Sequence, residues 1–393
     1  MDARFSWLQS SGVRKLLEAF AGKAEIRFVG GAVRDSFLSK VPVDFDLATP
    51  LLPEKVAHCL QNAGITCIPT GLKHGTVTAV LNKVHYEITT LRQDRKTDGR
   101  WADVDYVPCW HQDACRRDFT IGALYIDRWG QIYDFFNGVQ DLNQGVIRFI
   151  GCPEKRVLED FLRILRFFRM YAYHGRPPLD ARGLEVCCAL KDNLASLSKE
   201  RITKEFLRLL DAPDPWPVLQ QMQKNNFLSL ILGSDFQVSN WTLQTLEKEL
   251  GQRASVWVRL CHLGQSHLQG LKLSNAEKKM CSILNTPLRP HWPDILESLY
   301  AFGVKVTKDR LWMWLDIPLM QEHFVKIDRW TPRPFPLTGN DLLQKGYSGT
   351  EVGRLLKETY QWWLQQNTSP DRTACLQYID KVFSSPTQPN LSI

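Results

Sequence analysis

Two aspartates one residue apart, Asp44 and Asp46, lie in the stretch EIRFVGGAVRDSFLSKVPVDFDLAT, residues 25–49. Alternate side chains of a strand share a face, so a strand over Val43–Leu47 puts both carboxylates on one face and turns Phe45 toward the core. Same-face carboxylates repel unless a cation sits between them, and Mg²⁺ takes one or two carboxylates together with substrate phosphates. Upstream, a strand over Glu25–Val29 enters a Gly30-Gly31 turn, followed by one or two helical turns at Ala32–Leu38. Glycines there let backbone N–H groups approach a phosphate at a helix N-terminus, and Arg34 adds positive charge. A phosphate cradle beside a cation clamp implies nucleotide chemistry. Taken alone, Asp-x-Asp is equally a solvated strand end and Gly-Gly equally simple punctuation, so the rest of the chain must decide.

Three further sets of residues bear on that choice. Glu87, in the strand-like run VHYEITTLR, offers the third carboxylate that two-metal in-line displacement at phosphorus usually needs; by itself it is a solvent-facing strand residue. Arg116 and Arg117 carry guanidinium forks that match phosphate oxygens, or form an exposed basic pair at a helix end. Glu159-Asp160-x-x-Arg163 falls in a helical pattern, where residues three apart share a face. A carboxylate accepts hydrogen bonds and a guanidinium only donates them. Cytosine and adenine both present an exocyclic amine beside a ring-nitrogen acceptor, whereas uracil and guanine put an oxygen where the amine would be. An Asp160/Arg163 pair therefore suits C and A and rejects U and G without a template. The plainer alternative is a surface ion pair worth about 0.2–0.5 kcal/mol.

The elements that must position these residues divide the chain in two textures. From 25 to about 150, strand-like and helical runs alternate: a helix at Pro53–Ala63, then the runs ITCIPT, HGTVTAVLN and VHYEITTL, rich in Thr, Val and Ile. RQDRKTDGRWADVDY, dense in charge with one glycine, reads as a mobile loop over 92–104. DACRRDFTIGALYID carries a helix into a strand, and turns with a last strand close the region near 150. From 153, PEKRVLEDFLRILRFFRMYAYHG reads as one helix, with Arg163, Arg166 and Arg169 recurring every three residues. Helical patterns then run on, broken near 211–217, 285–293 and 330–339, and the last fifteen residues read as a loose tail. The fold class is α+β: a mixed-sheet head followed by an all-helical remainder.

At 393 residues, with 44% hydrophobic and 23% charged side chains, the chain has ample material for cores of more than one domain. A net charge of +7 permits a polyanionic partner. The ten cysteines lack metal-ligand spacing and read as reduced thiols, hence a cytoplasmic setting. The first twenty residues pattern as an amphipathic helix without a long apolar core, which argues against a secretory signal. No run approaches a membrane span, so no membrane partner is expected.

Gly-Gly-Ala-Val-Arg-Asp at 30–35, Asp44-Phe45-Asp46, His74-Gly75-Thr76-Val77, Glu87-Ile88-Thr89-Thr90, Arg116-Arg117-Asp118-Phe119-Thr120 and Glu159-Asp160-x-x-Arg163 follow one another in the chain. In order and spacing they resemble the class II tRNA nucleotidyltransferases, the CCA-adding enzymes of the DNA polymerase β-like superfamily that share their head with bacterial poly(A) polymerases. The resemblance is dense from about 25 to 175. It implies a catalytic head over 1–150, a neck that selects the base over 151–215, a body over 216–290 and a tRNA-binding tail over 291–393. It implies CTP, ATP and tRNA as substrates and Mg²⁺ held by Asp44 and Asp46, with Glu87 as the third active-site carboxylate. Gly30, Gly31, Arg34, Arg116 and Arg117 would meet the incoming nucleotide, Asp160 and Arg163 its base, and Arg166 and Arg169 would extend the basic face. The loop at 92–104 resembles the element used in switching from C to A. Residues 336–364 resemble the tail of some members, and no His-Asp phosphohydrolase motif is present. Two positions depart from the pattern: Gly122 stands where Asn is common, and Asn137 where Gly is usual. A poly(A) polymerase, a partial CC- or A-adding enzyme and a non-catalytic RNA-binding relative remain the alternatives. Oligomeric state is not legible.

Overall fold

The computed structural model describes residues 2–71, 75–98, 101–233, 242–264 and 270–383. His74, two residues of the 92–104 segment and most of the expected tail lie outside them. The chain folds as two compact units, Met1–Gln237 with Gln269–Lys272, and Val238–Leu268 with Leu273–Ile393.

The first unit begins with a 3-10 stretch over Ala3–Gln9 and helix α1 (Ser11–Glu18). A seven-stranded mixed sheet follows, built from β1 (Arg27–Val29), β2 (Phe45–Thr49), β3 (Thr66–Gly71), β4 (Thr76–Leu81), β5 (Val84–Thr90), β8 (Leu124–Ile126) and β9 (Ile132–Asp134) in the order β3-β4-β5-β2-β1-β8-β9. Only β2 and β5 run parallel; the other neighbours are antiparallel. That pair needs a crossover connection, supplied by α3 (Pro53–Asn62) and the β3-β4 hairpin. Helix α2 (Gly31–Phe37) links β1 to β2.

Under the sheet, Val29, Ala48, Leu91, Ala114, Ala123, Tyr125 and Ile150 form a closed apolar cluster. On the other side, Phe45 packs its ring against Trp7, Phe28 and Tyr86, as its alternation with the flanking aspartates requires. Strand β2 starts two residues later than Val43, which is 83% exposed; Asp44 therefore precedes the strand and Asp46 lies within it.

The charged segment expected to be a mobile loop pairs instead as a two-stranded ribbon, β6 (Arg92–Asp98) with β7 (Trp101–Tyr106). Its base is tied to the head: Leu91 donates to the Thr49 carbonyl, and Val107 to the Leu91 carbonyl. Tyr106 lies over Gly75, where a Cβ would stand 2.8 Å from the ring.

Helix α4 (Trp110–Cys115) precedes β8, and α5 (Gly138–Gln144) occupies ground expected to hold only turns and a strand. The expected closing strand near 150 reduces to a single bridge between Phe119 and Phe149. Asn137, the departure from glycine noted above, has φ 58° and ψ 33°, a left-handed conformation that asparagine tolerates better than most residues. Gly138 is then obligatory, because a Cβ would fall 2.3 Å from the Thr120 carbonyl oxygen.

The long helix expected from 153 is two helices, α6 (Pro153–Glu159) and α7 (Leu162–His174). Asp160 breaks it with an extended backbone, φ −157° and ψ 108°. Its Oδ1 accepts from the Leu162 N–H at 3.1 Å, the local competition with helix geometry that makes aspartate a capping rather than an interior residue. Helices α8 (Ala181–Leu190), α9 (Lys199–Leu210), α10 (Trp216–Lys224) and α11 (Phe227–Leu232) complete the unit.

Among its described residues the second unit has helices as its only long regular elements: α12 (Thr242–Leu250), α13 (Val256–His262), α14 (Asn275–Asn285), α15 (Trp292–Trp314), α16 (Ile317–Asp328), α17 (Gly339–Gln344), α18 (Thr350–Gln365) and α19 (Arg372–Phe383). Its interior holds the buried Arg259–Glu247 ion pair at 2.8 Å and a ring cluster of Tyr300, Phe335, Tyr360 and Trp363. Among the described residues no helix is long and apolar enough to cross a membrane.

Candidate active site

A cleft of about 780 Å³ opens in the first unit. One wall is the head: Gly30, Gly31 and Arg34 of the β1–α2 turn, Asp44 and Asp46 at the start of β2, and Arg116, Arg117 and Gly122 after α4. The other is α7, with Arg163, Arg166, Arg169 and His174. Of the residues singled out in the sequence, Glu87 and Asp160 are not part of this lining.

The turn geometry follows from glycine. Gly30 has φ 73° and ψ −116°, backbone that a side chain would strain. A hydrogen bond from its N–H to the Leu124 carbonyl, at 3.1 Å, fixes the turn beside β8.

Parallel pairing of β2 with β5 sets Asp46 directly beside Glu87, and residues paired in register point to the same face. The carboxyl of Asp46 is held above the usual aspartate range, first by burial, then by the Glu87 charge, with Asp44 adding to it; Arg117 and Arg34 oppose. Like charges thus meet at this rim, and a cation there relieves their repulsion. Among the described residues no three His, Cys, Asp or Glu side chains gather into a metal-holding group. Two carboxylates with room for phosphates suit Mg²⁺, which rarely takes an all-protein cage.

Arg116 and Arg117 owe their placement to a residue the sequence reading passed over. Asp113, wholly buried, accepts from Arg116 at 2.9 Å, from Arg117 at 3.2 Å and from the Tyr125 hydroxyl at 2.8 Å. Burial opposes the charge of Arg117, but Tyr125 and Asp113 outweigh it and hold the guanidinium above its ordinary pKa. An aspartate three and four residues before the arginine pair was the available signal.

Asp118, named above only within a motif, plays the same part for α7. It accepts from Arg163 at 2.6 Å and pairs with Arg166 at 2.9 Å. Burial raises its cost, yet Arg166 and Arg163 together keep its carboxyl below the usual range.

Asp160 and Arg163 do not share a helical face, because the chain breaks between them. Arg163 also donates to Glu159 and to the Arg156 carbonyl, at 2.5 and 2.6 Å. The Asp160 Oδ2 instead takes Arg201 of α9 at 2.8 Å. Arg169 is held by Glu205 of α9 at 2.6 Å, and Arg156 ties α6 to the head through the Arg116 and Arg117 carbonyls. Arg34 pairs with its neighbour Asp35 at 3.1 Å. Gly122, where asparagine is common, has open space: a Cβ there meets nothing within 4 Å.

The family model for the poly A polymerase head domain matches residues 26–148, and one described as the probable RNA and SrmB-binding site of polymerase A matches residues 179–233. The chain is 31% identical over 402 residues to the mitochondrial CCA tRNA nucleotidyltransferase 1 of Mus musculus, covering 96% of this chain and 92% of that protein. The Homo sapiens protein of the same name is likewise 31% identical over the same shares of each chain. The CCA-adding enzyme of Lactobacillus helveticus (strain DPC 4571) is 42% identical over 47% of this chain and 46% of its own length. Among solved structures, the Bacillus stearothermophilus CCA-adding enzyme in complex with CTP aligns with a TM-score of 0.72 at 24% identity, covering 97% of this chain and 98% of that one. These likenesses carry the α+β fold expected from the sequence.

Proposed function

Since the chain belongs to the CCA tRNA nucleotidyltransferases of the poly(A) polymerase family, we propose that the cleft between β2 and α7 is where it transfers nucleotides, with Asp44, Asp46 and Glu87 as the acidic centre. The enzyme adds or repairs the 3′-terminal CCA of tRNA from CTP and ATP, without a template. The observation that carries the assignment is the register of Asp46 beside Glu87, next to the Gly30-Gly31 turn and across from a row of arginines.

Asp44 and Asp46 would hold Mg²⁺, which when bound draws charge from the α-phosphate and makes the RNA 3′ hydroxyl easier to deprotonate. Gly30, Gly31 and Arg34 orient the triphosphate, and Arg116 and Arg117 bind its oxygens near the sugar. The 3′ hydroxyl gives its proton to water as its oxygen bonds to the α-phosphorus, the bond to the bridging oxygen breaks in line, and pyrophosphate leaves with the electron pair. Arginines held rigid by buried carboxylates suit this step, since preorganised charge needs no rearrangement as the transition state forms.

For base choice, the proposal is that Arg163 donates to the ring nitrogen and Asp160 accepts from the exocyclic amine. Arg163 already lines the cleft, whereas Asp160 must exchange Arg201 for the base. The division into head, neck, body and tail at 150, 215 and 290 and a cytoplasmic setting belong to the same proposal; the mouse and human relatives are named mitochondrial.

The test is single-turnover incorporation of each of the four nucleotides on tRNAs lacking CCA, ending in C and ending in CC. Asp44→Ala and Asp46→Ala should abolish CMP and AMP incorporation alike while tRNA binding, carried largely by phosphate contacts elsewhere, persists. Reversing the pair as Asp160→Arg with Arg163→Asp should raise UMP or GMP relative to CMP and AMP. An unchanged preference among residual activities would remove the base-reading role. The three tRNAs separate full CCA addition from a CC- or A-only enzyme.

A further inference from the structure

His174, the last residue of α7, is not among the residues assigned above, yet it lines the same cleft. Its Nδ1 is shielded from solvent and has no hydrogen-bond partner among the described residues. A buried polar atom left unmade is costly, and in a native site it calls for an explanation. The charges facing it are mostly of one sign. Arg34 comes from α2, Lys40 from the segment after it, Arg169 from the preceding turns of α7 and Arg208 from α9 across the cleft. Asp35, Asp44, Asp46 and Asp118 also line the cleft, but Asp35 is taken by Arg34 and Asp118 by Arg163 and Arg166, as Arg169 is taken by Glu205. Lys40 and Arg208 have no ion-pair partner among the described residues. The Tyr173 ring lies 5.9 Å from the imidazole, and its hydroxyl donates to the Arg208 carbonyl.

We infer that His174 is a phosphate-binding residue of this cleft, whose unpartnered Nδ1 takes up a proton and donates it as a hydrogen bond when a phosphate group settles among Arg34, Lys40 and Arg208. The inference rests on the nucleotidyltransferase reading of the cleft and adds to it a ligand contact and a pH dependence. The phosphate has two possible sources, the triphosphate of the incoming nucleotide and the backbone of the RNA 3′ end.

The sign follows from linkage. In the free protein, burial first and then Arg34, Lys40 and Arg169 push the imidazole down to about 2, so it carries no proton near neutrality. A phosphate anion cancels the surrounding positive charge and attracts the proton, so the complex binds more protons than the free protein. Affinity then rises as pH falls, by up to about tenfold per unit below the imidazole pKa of the complex. Terminal phosphates titrate too, with a pKa near 6, and lose charge as pH falls. Subtracting the behaviour of a protein without the imidazole removes that contribution.

The experiment measures equilibrium binding of CTP, of inorganic tripolyphosphate and of a short RNA ending in CC, near pH 6 and near pH 8, with the full chain and with His174→Gln and His174→Asn. The expected result is that the ratio of affinities at the two pH values is at least about threefold larger in the wild type than in both variants for one phosphate source. A larger ratio for CTP and tripolyphosphate identifies the nucleotide triphosphate, and for the RNA alone the RNA backbone. Equal ratios for every ligand overturn the inference while leaving the cleft assignment intact. Failure of the wild type to bind CTP at all counts against the cleft assignment itself and overturns the inference with it. Should either variant unfold, the imidazole resonances of ¹³C-histidine-labelled wild type give the answer. Protonation of His174 on adding ligand supports the inference, and an imidazole that stays neutral overturns it.

Discussion

On the β2–β5 side of the cleft, Asp46 and Glu87 stand side by side with like charge, and the Asp46 carboxyl is harder to ionise, first through its burial and then through the Glu87 charge. On the α6–α7 side almost every guanidinium already has a carboxylate: Arg163 with Asp118 and Glu159, Arg166 with Asp118, Arg169 with Glu205. The first region is unfavourable to the protein alone and gains when a cation arrives. The second is favourable as it stands, and spends its carboxylates on holding arginines in place. The residues proposed to hold a small cation are left to mutual repulsion, whereas those proposed to meet a polyanion are preorganised by carboxylate partners.

The largest expected effect probes the paired side. Asp118→Ala leaves Arg166 without a carboxylate and Arg163 with Glu159 alone; breaking the buried Arg163 pair costs at most about 3–5 kcal/mol, and the half-exposed Arg166 adds little. Chemical denaturation should show a loss of that order; a loss below about 1 kcal/mol would mean that Glu159 and solvent suffice for these arginines.

Opposite pH signs separate the two sides next. The Asp118 carboxyl lies below its unfolded value, so its stabilisation is present above the ordinary aspartate pKa of about 3.9 and is lost as pH falls through the folded value. Asp118→Asn should therefore lower Tm near neutrality and converge with the wild type in acid. The Asp46 carboxyl lies above its unfolded value, so ionising it weakens the fold as pH rises through the folded value. Asp46→Asn should raise Tm near neutrality in chelator and lose that advantage in acid. The same sign for both variants would erase the contrast.

A smaller effect belongs to the β6–β7 ribbon beside the acidic strands. Replacing 92–104 by a short Gly-Ser turn should spare CC addition and slow addition of the final A by about tenfold, about 1.4 kcal/mol in barrier. Equal loss of both activities would make the ribbon a structural support. The smallest effect is at Gly122→Asn, whose Cβ enters open space. Stability should change by no more than about 0.5 kcal/mol, so any change in incorporation of C or A reads the cleft alone.

Much of this was legible in the chain because it rested on local periodicity. The alternation around Phe45, the strand carrying Glu87 and the order of motifs that resemble the nucleotidyltransferases led to the right head and the α+β class. The helix expected to run through Asp160, whose spacing to Arg163 fits one, is broken there because the Asp160 side chain competes with helix geometry and turns to Arg201, 41 residues away. The ribbon at 92–106 was missed because its strands hold few β-branched residues. Asp113 and Asp118 were underrated because their value lies in burial, which spacing does not report. His174 carried no pattern at all; its setting is made by residues from three separate stretches of chain.

The contrast between the two sides rests on Asp44 and Asp46 taking up a divalent cation. It is tested most directly by counting Mn²⁺ bound per chain, by electron paramagnetic resonance in the presence of CTP, for the wild type, Asp44→Asn, Asp46→Asn and Asp118→Asn. Loss of tightly bound Mn²⁺ in the first two variants and its retention in the third is the predicted result. Undiminished Mn²⁺ binding in Asp46→Asn would contradict it.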